Sequence, residues 1–145
     1  MAEAFKIAIR IKVRFRDIDV MGHVNNAVYL TYLEEARMHY YQTVMADTSM
    51  GMGSFILAGV TINYRSPSVL GEEMDVAIRV AEMRVSALTY AFRMTDATTG
   101  RLVADGTTTL VSYDYGEGRS VEIPESLRDA VCAFEGLEKC RPGIG

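Results

Sequence analysis

The chain is poor in cysteine, in long apolar runs and in basic charge, and each shortage narrows its possibilities. Cysteine occurs only at Cys132 and Cys140, close to the C-terminus. A disulfide framework needs more pairs than that, and the spacing matches no zinc pattern. Two thiols in a reducing, cytoplasmic setting are the expectation. No apolar run approaches the ~20 residues that cross a bilayer, so no membrane partner is expected. The opening Met1-Ala2-Glu3-Ala4-Phe5-Lys6 carries charge of both signs and does not read as a signal peptide. A formal net charge of −4 argues against a general nucleic-acid binder, whose footprint would be basic. Anionic small molecules remain possible, because they need only a local cluster of arginines. What remains is ordinary: 49% hydrophobic and 23% charged residues suit a soluble globular protein. With 145 residues there is room for one domain and one core, residues 137–145 reading as a loose tail.

Phe5, Ile7, Ile9, Ile11, Val13 and Phe15 alternate with Lys6, Ala8, Arg10, Lys12, Arg14 and Arg16. A period of two means one buried and one wet face, so this is a strand. At Asp17 the pattern stops. From about Asn26 to Met45 apolar residues recur at spacings of three and four, through Tyr29, Leu33, Ala36, Tyr40 and Val44, and a helix is expected. Val28, Leu30, Tyr32, Tyr41 and Met45 widen its apolar surface, so it needs a cover on most sides. Asn25 or Asn26 is the expected N-cap.

Asp47 to Gly53 reads as a loop. Strand-like runs follow at Phe55–Arg65, Glu73–Met83, Ala87–Thr95 and Arg101–Tyr115, the last rich in Thr, Val and Tyr. Gly106 inside it signals a bulge or a close backbone approach. Pro124 opens a short helix to about Phe134. Consecutive strands on short turns pair mostly antiparallel. The expected fold is therefore α+β: a five-stranded antiparallel sheet wrapped around one long central helix, plus a short C-terminal helix. That arrangement is the hot-dog fold. Its sheet has open edges, so pairing with a second copy is expected.

The segment between strand and helix carries the chemistry. Asp19 lies at the mouth of the helix, whose N-terminus presents unpaired N–H groups and partial positive charge. A carbonyl docked there would be polarised, and an oxyanion stabilised. A carboxylate and an oxyanion hole suffice to hydrolyse a thioester, whose carbonyl is already activated and whose thiolate leaves readily. No metal, cofactor or serine triad is required. Gly22 permits a turn and a close substrate approach. His23, Asn25 and Asn26 offer polar groups to orient water or fix the loop. Taken singly, Asp17 and Asp19 are ordinary turn residues and the asparagines ordinary caps; their crowding at this junction is the signal. Tyr29 lies one turn from the proposed site.

The run Phe15-Arg16-Asp17-Ile18-Asp19-Val20-Met21-Gly22-His23-Val24-Asn25-Asn26-Ala27-Val28-Tyr29-Leu30, with Leu33-Glu34-Glu35-Ala36-Arg37, resembles the signature of the 4-hydroxybenzoyl-CoA thioesterase-like family of hot-dog proteins. Looser similarity lies in Ile62-Asn63-Tyr64-Arg65-Ser66-Pro67 and Thr107-Thr108-Thr109-Leu110-Val111. The resemblance implies an enzyme that hydrolyses an acyl-CoA or acyl carrier protein thioester. Asp19 would act either as general base for water or as a nucleophile forming a short-lived anhydride. The backbone N–H near Asn26 would be the oxyanion donor, with His23 and Asn25 shaping the loop. It also implies a homodimer with the active site at the interface, Thr61 or Asn63 of one copy facing Asp19 of the other, and a tetramer built as a dimer of dimers. Asn25-Asn26 replaces the aromatic-rich helix start of the benzoyl-type enzymes, which argues against an aromatic substrate.

Coenzyme A brings phosphates, and Arg65, Arg84, Arg93 and Arg101 are candidates to meet them. Arg65 leads because it adjoins the Ser66-Pro67 turn, and Ser66 is grouped with it. Two rival readings use the same fold: a module that binds acyl-CoA without cleaving it, and an enoyl-CoA hydratase. Asp19 in the thioesterase position argues against the first. The second needs an Asp and a His in a different loop.

Overall fold

The alternating N-terminal segment forms β1, Ile7–Lys12, with Ile7 and Ile11 buried and Arg10 and Lys12 facing water. It pairs antiparallel with β3, Glu73–Met83, in the register Ile7↔Ile78 to Lys12↔Glu73. Arg10 meets Asp75 across that pair at 2.8 Å. The computed structural model describes residues 4–47 and 54–138. Part of the Asp47–Gly53 loop and most of the expected C-terminal tail therefore lie outside the described residues.

β1 ends earlier than its alternation suggests. Val13 is still buried, but Phe15 is 79% exposed and opens a short 3-10 turn, Phe15–Asp17. The cause is Asp17, which is buried and accepts hydrogen bonds from the Arg14 N–H (3.0 Å) and the Tyr32 hydroxyl (2.8 Å). A buried carboxylate must be paired, and curling the chain onto it overrides the strand period.

The helix, α1, spans Val28–Met45 and buries Tyr29, Tyr32, Leu33, Ala36, Arg37 and Tyr40. Thr31, Glu34, Glu35, His39 and Thr43 stay exposed along the opposite stripe. The cover is a sheet in the order β1-β3-β4-β5-β2, antiparallel throughout, where β2 is Phe55–Tyr64, β4 Ala87–Asp96 and β5 Leu102–Asp114. Alternate residues of its inner strands are buried toward the helix, among them Val76, Ile78, Tyr90, Phe92, Thr108 and Leu110. Tyr40 of α1 packs edge-on against Tyr90 of β4, ring centroids 5.3 Å apart. This is the expected hot-dog arrangement. A two-residue strand, β6 (Arg119–Ser120), adds to the end of β5 and was not anticipated.

The second helix, α2 (Glu125–Glu135), follows Pro124 and buries Leu127, Arg128, Val131 and Cys132. Glu135 ties it to the rest: one carboxylate oxygen accepts from the Tyr40 hydroxyl (2.7 Å) and the Val80 N–H (2.9 Å). The β3–β4 register slips between Val80 and Glu82, so this carboxylate satisfies a donor beside the bulge.

Gly106 turns out to mark a close approach, not a bulge. Its register is continuous on both sides, opposite Ile62 and Phe92, and a Cβ there would lie 1.9 Å from the Thr61 carbonyl oxygen. β1 forms one edge of the sheet and β2 the other. One side of β2 pairs with β5, and Leu57, Val60 and Tyr64 are exposed along it.

Candidate active site

The segment Ile18–Ala27 is a folded loop anchored on Asp17. The Asn25 N–H donates to the Asp17 carbonyl (2.9 Å), and Ile18 and Val24 form an antiparallel bridge. Within it the Asp19 N–H donates to the His23 carbonyl (2.8 Å) and the Gly22 N–H to the Asp19 carbonyl (3.0 Å). Gly22 takes φ +80°, a conformation that side chains other than glycine adopt with strain. One Asp19 oxygen, Oδ1, accepts from the Met21 N–H (2.9 Å) and the His23 N–H (3.4 Å). Its other oxygen takes no hydrogen bond among the described residues. The loop's own amides thus hold the carboxylate while leaving one oxygen for chemistry.

Asn25 prepares the helix, though not as its N-cap. α1 begins at Val28 with Ala27 in the cap position and no side-chain cap. Asn25 acts a step earlier: its Oδ1 accepts from the Ala27 N–H and its carbonyl from the Val28 N–H, both at 2.9 Å. This is an Asx turn feeding the helix. The Asn26 N–H finds no acceptor among the described residues, and Asn26 lines the cavity described next.

Asp19, His23, Val24, Asn26, Tyr29, Tyr64, Arg65, Ser66 and Pro67 surround a cavity of about 260 Å³. The structure therefore brings together Asp19, His23, Asn26, Tyr29, Arg65 and Ser66 of the residues expected from sequence. Four others stay off this wall. Gly22 serves the turn and is not among the residues lining the cavity. Asn25 shapes the backbone from outside the cavity. Thr61 is exposed on the edge strand, and Asn63 donates its side-chain amide to Asp105 at 3.2 Å. The lining residues missed from sequence are Val24, Tyr64 and Pro67. Tyr64 could have been found: it ends β2 between Asn63 and Arg65, and its parity matches Ile62, which packs against the core.

The wall opposite the loop is held by ions. Arg101 donates to Ser66 Oγ (3.1 Å), the Pro67 carbonyl (3.1 Å) and Glu72 (3.2 Å). Glu72 in turn accepts from the Val69 N–H (2.8 Å) and Ser68 Oγ (3.0 Å). The same loop meets the Asp19 segment through the Val24 N–H on the Ser68 carbonyl (2.8 Å) and a His23↔Val69 bridge. Arg101 thereby braces the wall and is not among the residues lining the cavity. Arg84 faces Glu82 at 3.9 Å, and Arg93 lies over the Phe5 ring. Arg65 lines the cavity while paired with Asp105 at 3.2 Å and half-exposed, so it stays the best placed of the four.

Burial raises the pKa of Tyr29, only partly offset by the Ser68 N–H. Burial also pulls Asp17 upward, but the Arg14 N–H and Tyr32 hydroxyl outweigh it and hold its carboxyl below the usual value. Asp17 is thus an anchor charged at neutral pH and Tyr29 a neutral wall. Among the described residues no three His, Cys, Asp or Glu side chains converge as a metal site would need. No described helix is long and apolar enough to cross a membrane.

The thioesterase-like superfamily model matches residues 13–131, which include the whole loop and the cavity. The chain belongs to the thioesterase-like superfamily. Among its relatives is the long-chain acyl-CoA thioesterase FadM of Escherichia coli strain K12, 31% identical over 124 residues, covering 83% of this chain and 92% of the relative. Among solved structures, a Thermus thermophilus thioesterase in complex with coenzyme A and zinc superposes with a TM-score of 0.82. It is 36% identical, with 94% of this chain and 99% of that one covered. A 1,4-dihydroxy-2-naphthoyl-CoA thioesterase from Synechocystis shares the fold at a TM-score of 0.77 and 18% identity, over 88% and 96% of the two chains.

Proposed function

We propose that the protein is a thioester hydrolase that cleaves acyl-CoA to the free acid and coenzyme A, with Asp19 as its reacting carboxylate. The observation that carries this is one cavity lined by both Asp19 and Asn26, whose second carboxylate oxygen and backbone N–H respectively take no hydrogen bond among the described residues. The relatives named above act on acyl-CoA or bind coenzyme A, which supports the same substrate class.

The chemistry follows from the groups present. With the thioester carbonyl oxygen at the Asn26 N–H, Asp19 takes a proton from water and the resulting hydroxide adds to the carbonyl carbon. The charge that develops on oxygen is met by that N–H and the positive end of α1. Collapse breaks the C–S bond, and the thiolate receives the proton Asp19 holds. In the alternative course Asp19 itself adds to the carbon, expels thiolate as a mixed anhydride forms, and water then cleaves the anhydride. His23 borders the carboxylate and Arg65 offers its cation at the cavity's rim. Acyl carrier protein, which presents the same thioester on a similar arm, is the second substrate to assay.

The working unit in this reading is a homodimer formed through β2. Three features support it: the strand's open edge, the exposed Leu57, Val60 and Tyr64 on it, and a cavity slightly smaller than the ~300–1,000 Å³ usual for ligand sites. A second copy on that edge brings Thr61 and Asn63 toward the partner cavity and enlarges it. A dimer of dimers and a cytoplasmic location complete the proposal.

The test is release of free thiol from short, long and aromatic acyl-CoA substrates. Asp19→Asn should lower turnover about a hundredfold or more, the scale of general-base catalysis, with melting temperature and oligomeric mass unchanged. Near-wild-type turnover by that variant would sink the role of Asp19. Tight acyl-CoA binding without turnover by the wild type would establish the binding module instead.

A further inference from the structure

We infer that Tyr64 is a positioning residue for the oxyanion donor, acting through the peptide plane that follows Asn26. The inference rests on the thioesterase reading and names a residue outside the Asp17–Asn26 loop.

A peptide group is rigid, so holding its oxygen and its N–H fixes the whole plane. The plane joining Asn26 to Ala27 is held at both ends. Its carbonyl accepts from the Tyr64 hydroxyl at 2.9 Å, and its N–H donates to Asn25 Oδ1 at 2.9 Å. The preceding plane, which carries the Asn26 N–H, is held at its oxygen by the Val28 N–H at 2.9 Å. Both planes flanking the Asn26 Cα are therefore set, and the N–H they orient is the one without an acceptor among the described residues. Two of those three bonds come from the same turn. Tyr64 supplies the one from elsewhere in the fold, from the end of β2.

The ring is itself constrained. It meets Tyr29 edge-on, with centroids 5.4 Å apart and planes at 62°, and Tyr29 is buried. The Tyr64 hydroxyl is thus aimed by a packed aromatic pair and not by a freely rotating side chain. Tyr64 also lines the cavity, yet its proton is spent on a backbone carbonyl, which gives it a positioning and not an acid role.

Removing only the hydroxyl isolates this function. Tyr64→Phe keeps the ring against Tyr29. Its kcat should fall about tenfold, a fraction of the ~10²–10³ an oxyanion donor itself contributes, with KM within about twofold. The loss should be the same across the neutral pH range, because the hydroxyl is spent on a backbone carbonyl and passes no proton to the substrate. Asn25→Ala, which frees the other end of the plane, should show the same split. The double variant should lose less than the product of the two single losses, because both act on one peptide group. Wild-type turnover is measured first: no thiol release from any acyl-CoA would overturn the thioesterase reading and this inference with it. Wild-type turnover with kcat unchanged in Tyr64→Phe would overturn the inference alone. So would loss of the alkaline limb of the pH profile, which would make Tyr64 an acid. A raised KM at constant kcat would also overturn it, reducing Tyr64 to a substrate contact. If Tyr64→Phe melts far below the wild type, Asn25→Ala carries the same kcat test.

Discussion

Gly106→Ala adds one methyl group at the point where β5 passes closest to β2. An ideal Cβ on Gly106 lies 1.9 Å from the Thr61 carbonyl oxygen, 2.8 Å from its carbon and 3.1 Å from the Ile62 Cα. All three are backbone atoms, so no side chain can rotate away. A tolerable C···O contact is about 3.3 Å, so the strands must part by roughly 1.4 Å locally. Gly106 also sits at φ +154°, which L-residues rarely adopt. Strain and overpacking of this kind cost about 3 kcal/mol together. For a domain of this size that lowers the melting temperature by about 10 °C. The displaced strand carries Tyr64 at its end, with Arg65 next in the chain, and both line the cavity. A shift on the order of 1 Å at a reacting site can cost ~10²-fold in rate. Gly106→Ala should therefore lose thiol release well beyond its loss of folded protein. Melts followed by circular dichroism at matched protein concentration, with kcat measured well below the transition, read both effects. A variant that melts within about 2 °C of the wild type, or one that keeps its kcat, would refute the coupling of strand spacing to the site.

The β2 dimer makes its own prediction. Leu57 and Val60 are exposed in the protomer, so Leu57→Arg with Val60→Arg should spare the fold. It should halve the sedimenting mass and cut turnover at least tenfold; an unchanged mass would place the interface elsewhere. Asp17 supplies a pH dependence. Its folded pKa is depressed below the ordinary 3.8, so its contribution is present above that value and is lost as pH falls through the folded one. Replacing it with Asn should cost about 1–3 kcal/mol at pH 7 and flatten the acid limb of the stability profile. An unchanged acid limb in thermal melts between pH 7 and pH 2 would show that Asp17 is not the anchor.

Local patterns in the sequence are legible where one physical demand dominates. The alternation of β1 and the three-four spacing of α1 each describe a face turned to a single core, and both elements form within the segments that periodicity marks. The misreadings fall where two demands compete. Phe15 continues the strand period, yet the buried Asp17 beside it needs hydrogen-bond donors and curls the chain out of the sheet. Asn25 and Asn26 both suit an N-cap, but Asn25 spends its side chain on the Ala27 N–H and pushes the helix start on to Val28. Arg101 reads as a cation in search of a phosphate, because nothing near it in sequence reveals Glu72.

The same distinction explains what the Asp17–Asn26 motif does and does not determine. Its bonds are short in sequence: Asp19 to Met21 and His23, Asn25 to Ala27, Asp17 to Arg14. Such a loop can fold its own carboxylate and its own turn, which is why the chemistry is legible there. The direction of the Asn26 N–H is another matter. It depends on a hydroxyl 38 residues away, delivered by an edge strand whose distance from β5 is set by the missing side chain of Gly106. A chain that kept every residue of the motif and lost Gly106 would hold the reacting groups without their alignment. On the proposed mechanism the motif supplies the reacting groups, and the end of β2 sets how well they align.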